Sequence, residues 1–173
     1  SSLSQKAAQT QTASASQTLP ADHPPLGSQN APDPAAMREQ VTAQIEKARN
    51  EPQNFDAQLK AAELYYRISR FDEAIEYLLK ANQLKPTDYD TVFALGLVNL
   101  DARHYEQSEK WYRAALRMKS DDVRVLAGIA AATLGKGDAK AAEEAIAQLE
   151  KADPTSEDLP SFKERLTSLK SGK

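Results

Sequence analysis

The chain has 173 residues, 27% charged and 40% hydrophobic, with a formal net charge of −3 and no cysteine. That length suits one ordinary domain plus a tail. The acidic balance argues against nucleic acid, which needs a concentrated Lys/Arg surface, and the missing cysteine excludes disulfides, thiolate zinc sites and cysteine nucleophiles.

Residues 1–33, SSLSQKAAQTQTASASQTLPADHPPLGSQNAPD, are rich in Ser, Gln, Thr and Ala and then in Pro. Leu3, Leu19 and Leu26 are their only large apolar residues. So few apolar groups do not offset the entropy of ordering a backbone, and the stretch reads as a disordered leader, extended around LPADHPPLG. SSLSQK lacks an initiator Met, so a processed product is expected, with a signal peptide or membrane anchor upstream. No run of the chain itself approaches the roughly 18 apolar residues of a membrane span.

The texture changes at Asp33, which can cap a helix beginning at Pro34. Met37, Val41, Ile45 and Ala48 then recur along one face until Pro52 halts it. Further helices are predicted over 54–69, 72–84, 88–102, 105–118, 122–135, 138–151 and 158–170, with no strand-like stretch between them. The last carries Leu159, Phe162, Leu166 and Leu169 on one side and has a capping residue before Pro160.

Laid against itself at a shift of 34 residues, the chain matches three times over. FDEAIEYLLKANQLKP, YEQSEKWYRAALRMKS and AKAAEEAIAQLEKADP fall in register. Small residues recur at Ala62, Gly96 and Ala130 and at Ala74, Ser108 and Ala142. Larger apolar positions recur at Leu78, Tyr112 and Ile146, and at Ala61, Leu95 and Ile129 with one small member. Helix-ending positions fall at Pro52, Pro86, Ser120 and Pro154, and the acidic turns EPQNFD, KPTDYD and KSDDVR align. Each unit is therefore a helix pair whose small positions let the backbones approach. One pair alone cannot bury its apolar face, whereas three stacked pairs make a continuous core. An ordinary helical bundle has no reason to keep such spacing.

This pattern resembles the tetratricopeptide repeat (TPR) family over roughly residues 53–154, with 34–52 similar to the second helix of a half repeat. Ala62, Tyr65, Ala74, Leu78, Ala81 and Pro86 carry the resemblance in the first repeat, Leu95, Gly96, Tyr112 and Ala115 in the second, and Ile129, Ala142, Ile146 and Pro154 in the third. Departures are Gln58 where the family favours Trp, Asn99 and Thr133 in the place of Tyr65, and Ser120 for a proline. The resemblance implies an all-α, right-handed superhelix: three repeats at about 55–88, 89–122 and 123–154, a half-repeat helix in front and a capping helix over 155–173. First helices would line the concave side.

The second repeat's first helix, VFALGLVNL, is apolar nearly all round, more than packing on one side requires. Phe93, Leu97 and Leu100 share a face away from Leu95 and Val98. The family's groove positions are those three, with Leu59, Glu63 and Tyr66 before them and Ala127, Ala131 and Leu134 after. Asp56, Asp90, Asp101, Arg67 and Arg124 would flank them. The function this implies is non-catalytic: holding a protein or peptide partner in the groove as an assembly or biogenesis adaptor. Competing readings are self-association of a structural module through the same apolar face, and residues 34–50 folding over it. TPR modules that bind chaperone-tail carboxylates use groove Lys, Asn and Arg; the corresponding Leu59, Glu63, Ala94, Arg124 and Gly128 include only one suitable cation, so that reading is disfavoured.

Chemistry finds no foothold. His23 and His104 are the only histidines, no Gly-rich loop follows a strand, and acid pairs such as Asp72/Glu73 and Asp121/Asp122 suit helix starts. No enzyme activity, cofactor, metal, nucleic acid or small-molecule substrate is expected. Trp111 is expected to pack between repeats. The leader resembles linkers that join an anchor or signal sequence to bacterial extracytoplasmic TPR domains, including those of cytochrome c maturation, so a periplasmic location is expected over a cytoplasmic one.

Overall fold

Each first helix of a pair begins at a side-chain cap in register with the others. Asn54, Asp88 and Asp122 accept from the backbone N–H of Ala57, Thr91 and Arg124, satisfying donors that no helical carbonyl can reach. Each pair then reverses through a left-handed residue, again in register: Ser69 (φ 59°), Arg103 (φ 61°) and Gly137 (φ 77°). Only the third is the glycine that this conformation favours.

The computed structural model describes residues 33–172; the leader, His23 and the LPADHPPLG stretch lie outside them. The described residues form eight helices: α1 Pro34–Asn50, α2 Phe55–Arg67, α3 Phe71–Leu84, α4 Tyr89–Asp101, α5 Tyr105–Met118, α6 Val123–Lys136, α7 Ala139–Ala152 and α8 Leu159–Lys170. Helices α2/α3, α4/α5 and α6/α7 are the three pairs, and each first helix also packs on the second helix before it, α1 included. The predicted 54–69 helix stops at Arg67 because Ser69 turns the chain back.

The small positions do what close approach requires. Ala74, Ser108 and Ala142 are all fully enclosed, and the Ser108 hydroxyl donates to the Gly96 carbonyl at 2.8 Å, so its burial leaves no orphan polar group. Asn99 and Thr133, standing where Tyr65 does, donate instead to their own helices, at Leu95 O and Ile129 O. Gln58, in the family's Trp position, donates to Ala48 O at 2.9 Å and so ties the end of α1 to α2.

Two apolar clusters fill the stack, one from Ala48 to Val98 and one from Val92 to Phe162. Half-buried Trp111 packs against both. Leu159 and Phe162 of α8 are buried at the end of the second cluster. At the other end α1 is held only by its last turns: Ala48 is its one buried residue and Met37 is 48% exposed. It packs on α2 and does not fold across the inner face.

Candidate partner-binding groove

The first helices carry the groove positions, and the structure sorts these into two neighbourhoods. At the first, Leu59, Glu63 and Tyr66 of α2 face Ala94 and Leu97 of α4 across a recess of about 230 Å³ floored by Leu78. The Tyr66 hydroxyl bridges the helices by donating to Asp101 at 2.6 Å. That carboxylate, with some burial, pushes the phenol up to about 12. Glu63 is paired with Lys60 and Arg67.

At the second neighbourhood the chain covers its own aromatic. Half-buried Phe93 meets the Tyr112 ring edge-on at 5.8 Å, and the Arg124 guanidinium lies 4.5 Å over its face, a favourable placement of cation on ring. Arg124 is held there by Asp122, at 3.0 and 2.7 Å. Asp122 also accepts from the Tyr89 hydroxyl at 2.7 Å. Arg124 first, then Tyr89, hold its carboxyl well below the usual range against the opposing effect of burial. Burial, and then Asp122, push Tyr89 up to about 12.

Of the other sequence-chosen residues, Leu97, Leu100 and Ala127 are half-buried and Asp90 is exposed. Leu134 is not a groove residue. It is only 7% exposed, inside the cluster that α8 closes, because the repeat frame says nothing about the solenoid's end. Reading one helix face at a time missed Ala62, Leu78 and Val98, which shape the recess from both sides together with Ala94. Among the described residues no group of His, Asp or Glu side chains is placed to hold a metal ion.

Stacked helix pairs with a curved apolar inner face define a helical-repeat protein of the kind that binds other proteins. A tetratricopeptide repeat family model matches residues 39–89 and 93–157, well over half of the chain, and the chain belongs to that family. TPR domains are generally non-catalytic scaffolds for protein–protein interaction. No curated protein matches the chain.

Solved structures share the fold. A tetratricopeptide repeat protein from Parabacteroides merdae has a TM-score of 0.64 at 16% identity, covering 79% of this chain and 54% of that one. MamA from Desulfovibrio magneticus RS-1, from residue 41 to its end, has a TM-score of 0.63 at 17% identity, covering 78% and 84%. A double mutant of MamA RS-1 gives 0.63 at 16%, covering 79% and 85%.

Proposed function

We propose that this chain is a non-catalytic adaptor that holds a peptide or helix of another protein in its concave groove during assembly or biogenesis of a complex. The observation that carries this reading is the apolar recess between α2 and α4, at the joint of the first and second repeats. Fully burying an exposed leucine is worth roughly 1.5–3 kcal/mol, and completing the burial of half-buried Leu97 or Leu100 adds a part of that. Ordering the partner offsets much of that, so micromolar affinity is the expectation. The composition of the leader supports an extracytoplasmic setting.

The test compares partner capture by the parent chain with capture by Phe93→Asp and Leu97→Asp, both checked for helicity. Loss of one defined partner from both variants supports the groove. Undiminished capture by both removes it. Light scattering over a concentration series distinguishes self-association through the same face, which would appear as a mass that falls on dilution and is monomeric in Leu97→Asp.

A further inference from the structure

The two joints between repeats and the joint between the third repeat and α8 can be compared residue for residue, because equivalent positions stand 34 residues apart. Each joint is a second-helix residue between a residue of its own first helix and one of the next. The triplets are Ala62–Leu78–Ala94, Gly96–Tyr112–Gly128 and Ala130–Ile146–Phe162.

In the second triplet a ring fills the joint. A Cβ built on Gly96 would lie 2.6 Å from Tyr112 and one on Gly128 2.5 Å from it, so both glycines exist to admit that ring. In the third, Phe162 supplies the ring from the opposite side and is buried with Ile146 and Ala130. The first triplet has no aromatic. Its three residues line the recess, and there α2 and α4 meet far less closely than α4 meets α6 or α6 meets α8. Two joints contain a ring supplied by the chain; the first has a hole of that kind, open to the concave side.

The charges around the recess are unequal. The cations of α2 nearest the recess, Lys60 and Arg67, are both paired with Glu63. Asp101 is exposed and accepts only the neutral Tyr66 hydroxyl, with no ion pair to a cation among the described residues. Asp56 lies in a separate hollow with Lys47 and Lys60, and Asp90 is a charge acting on Arg124. An occupant that brings a cation beside Tyr66 would neutralise the Asp101 carboxylate, and one that brings a carboxylate there would be repelled by it.

Building on the groove reading above, we infer that the recess receives one bulky apolar side chain (Leu, Met or Phe) from a basic, amphipathic segment of a partner protein, with Lys or Arg beside the anchor meeting Asp101. The anchor takes the place that Tyr112 and Phe162 occupy in the other joints. Specificity then resides at one joint rather than along the whole trough.

The experiment is calorimetric titration of the full chain with three end-blocked synthetic peptides: one of Leu and Lys at amphipathic helical spacing, one with its Leu residues changed to Ala, and one with Lys changed to Glu. The expected result is saturable binding of the Leu/Lys peptide only, weakened by salt. Ala94→Leu, which directs a side chain into the recess, should weaken it by about tenfold or more, the equivalent of one leucine left unburied, without lowering the unfolding temperature. Should Ala94→Leu misfold, methyl NMR of the parent supplies the same answer: the Leu59, Leu78 and Leu97 signals shift on titration while those of Leu126 and Leu149 stay put.

Equal binding by parent and Ala94→Leu, with loss in Phe93→Asp, overturns the recess and leaves the groove standing. Indifference to both substitutions, or no binding of the Leu/Lys peptide, removes the recess as its site. Comparable binding of the Leu/Glu peptide overturns the charge selection. A dimer of the parent that Ala94→Leu dissociates makes the occupant a second copy and overturns the assignment to a partner.

Discussion

The joint between the first and second repeats and the joint between the second and third stand at the same register of the repeat and have opposite outcomes. Gly96 and Gly128 have surrendered their side chains so that one tyrosine can be clamped between two helices. Ala62 and Ala94 have kept theirs, Leu78 replaces the ring, and the helices stand apart around an apolar recess. Where a repeat protein is well packed, small residues are matched to a large one. Where both sides of that match are dropped together, the stack stays folded and a surface opens.

The largest test of that contrast is truncation. Tyr112→Ala should cost about 3–5 kcal/mol, since a fully enclosed ring leaves a cavity that two helices cannot close. Leu78→Ala should cost less, about 2–3 kcal/mol, because the buried leucine is smaller than the tyrosine ring and leaves a smaller cavity. Denaturant midpoints at unchanged m-value measure both; equal losses would erase the distinction between the joints.

Gly128→Ala tests the clamp itself. Alanine is the better helix former, yet its Cβ would meet the Tyr112 ring at 2.5 Å, so a net loss of about 1–3 kcal/mol is expected in thermal unfolding. The register-equivalent Ala94→Gly should cost no more than the helix-propensity difference of about 1 kcal/mol.

Asp122→Ala comes next. It removes the cap of α6 and the acceptor for Tyr89, and releases Arg124 from Phe93; the cap alone is worth about 0.5–2 kcal/mol. The folded carboxyl is depressed, so its contribution is fully present above the ordinary carboxylate value of about 4 and is lost as pH falls through the lower folded value. Stability of parent and variant should therefore differ at neutral pH and converge in acid, as followed by denaturation at several pH values. A pH-independent difference would contradict the ion pair.

The smallest effect is a gain. Arg103 holds φ 61° at the turn where the third repeat has glycine, so Arg103→Gly should raise stability by about 0.5–1 kcal/mol, visible as a higher midpoint. Ser69→Gly should do the same in the first repeat.

The fold was legible because its signals are local and recur. Caps at Asn54, Asp88 and Asp122, stops at Pro52, Pro86 and Pro154, and enclosed small residues can each be found by shifting the chain against itself. The left-handed turns were half hidden, since Ser69 and Arg103 do not advertise a conformation that Gly137 does. The groove was legible as a helix face, which brought Leu59, Glu63, Tyr66 and Leu97 to one place. The recess was not, because it consists of what one joint lacks, and the missing ring in the third joint returns from α8, outside the repeat. Leu134 failed for the same reason: its surroundings are set by the cap and not by the period.

Xenon is the most direct probe of whether the first joint is open, since it enters apolar space that is unfilled. In pressurised crystals of the chain it should bind beside Ala62, Leu78 and Ala94 and nowhere between Gly96 and Gly128. No xenon at the first joint, with α2 and α4 as closely packed as α4 and α6, would mean that both joints are closed and that the inner surface has no pocket to offer.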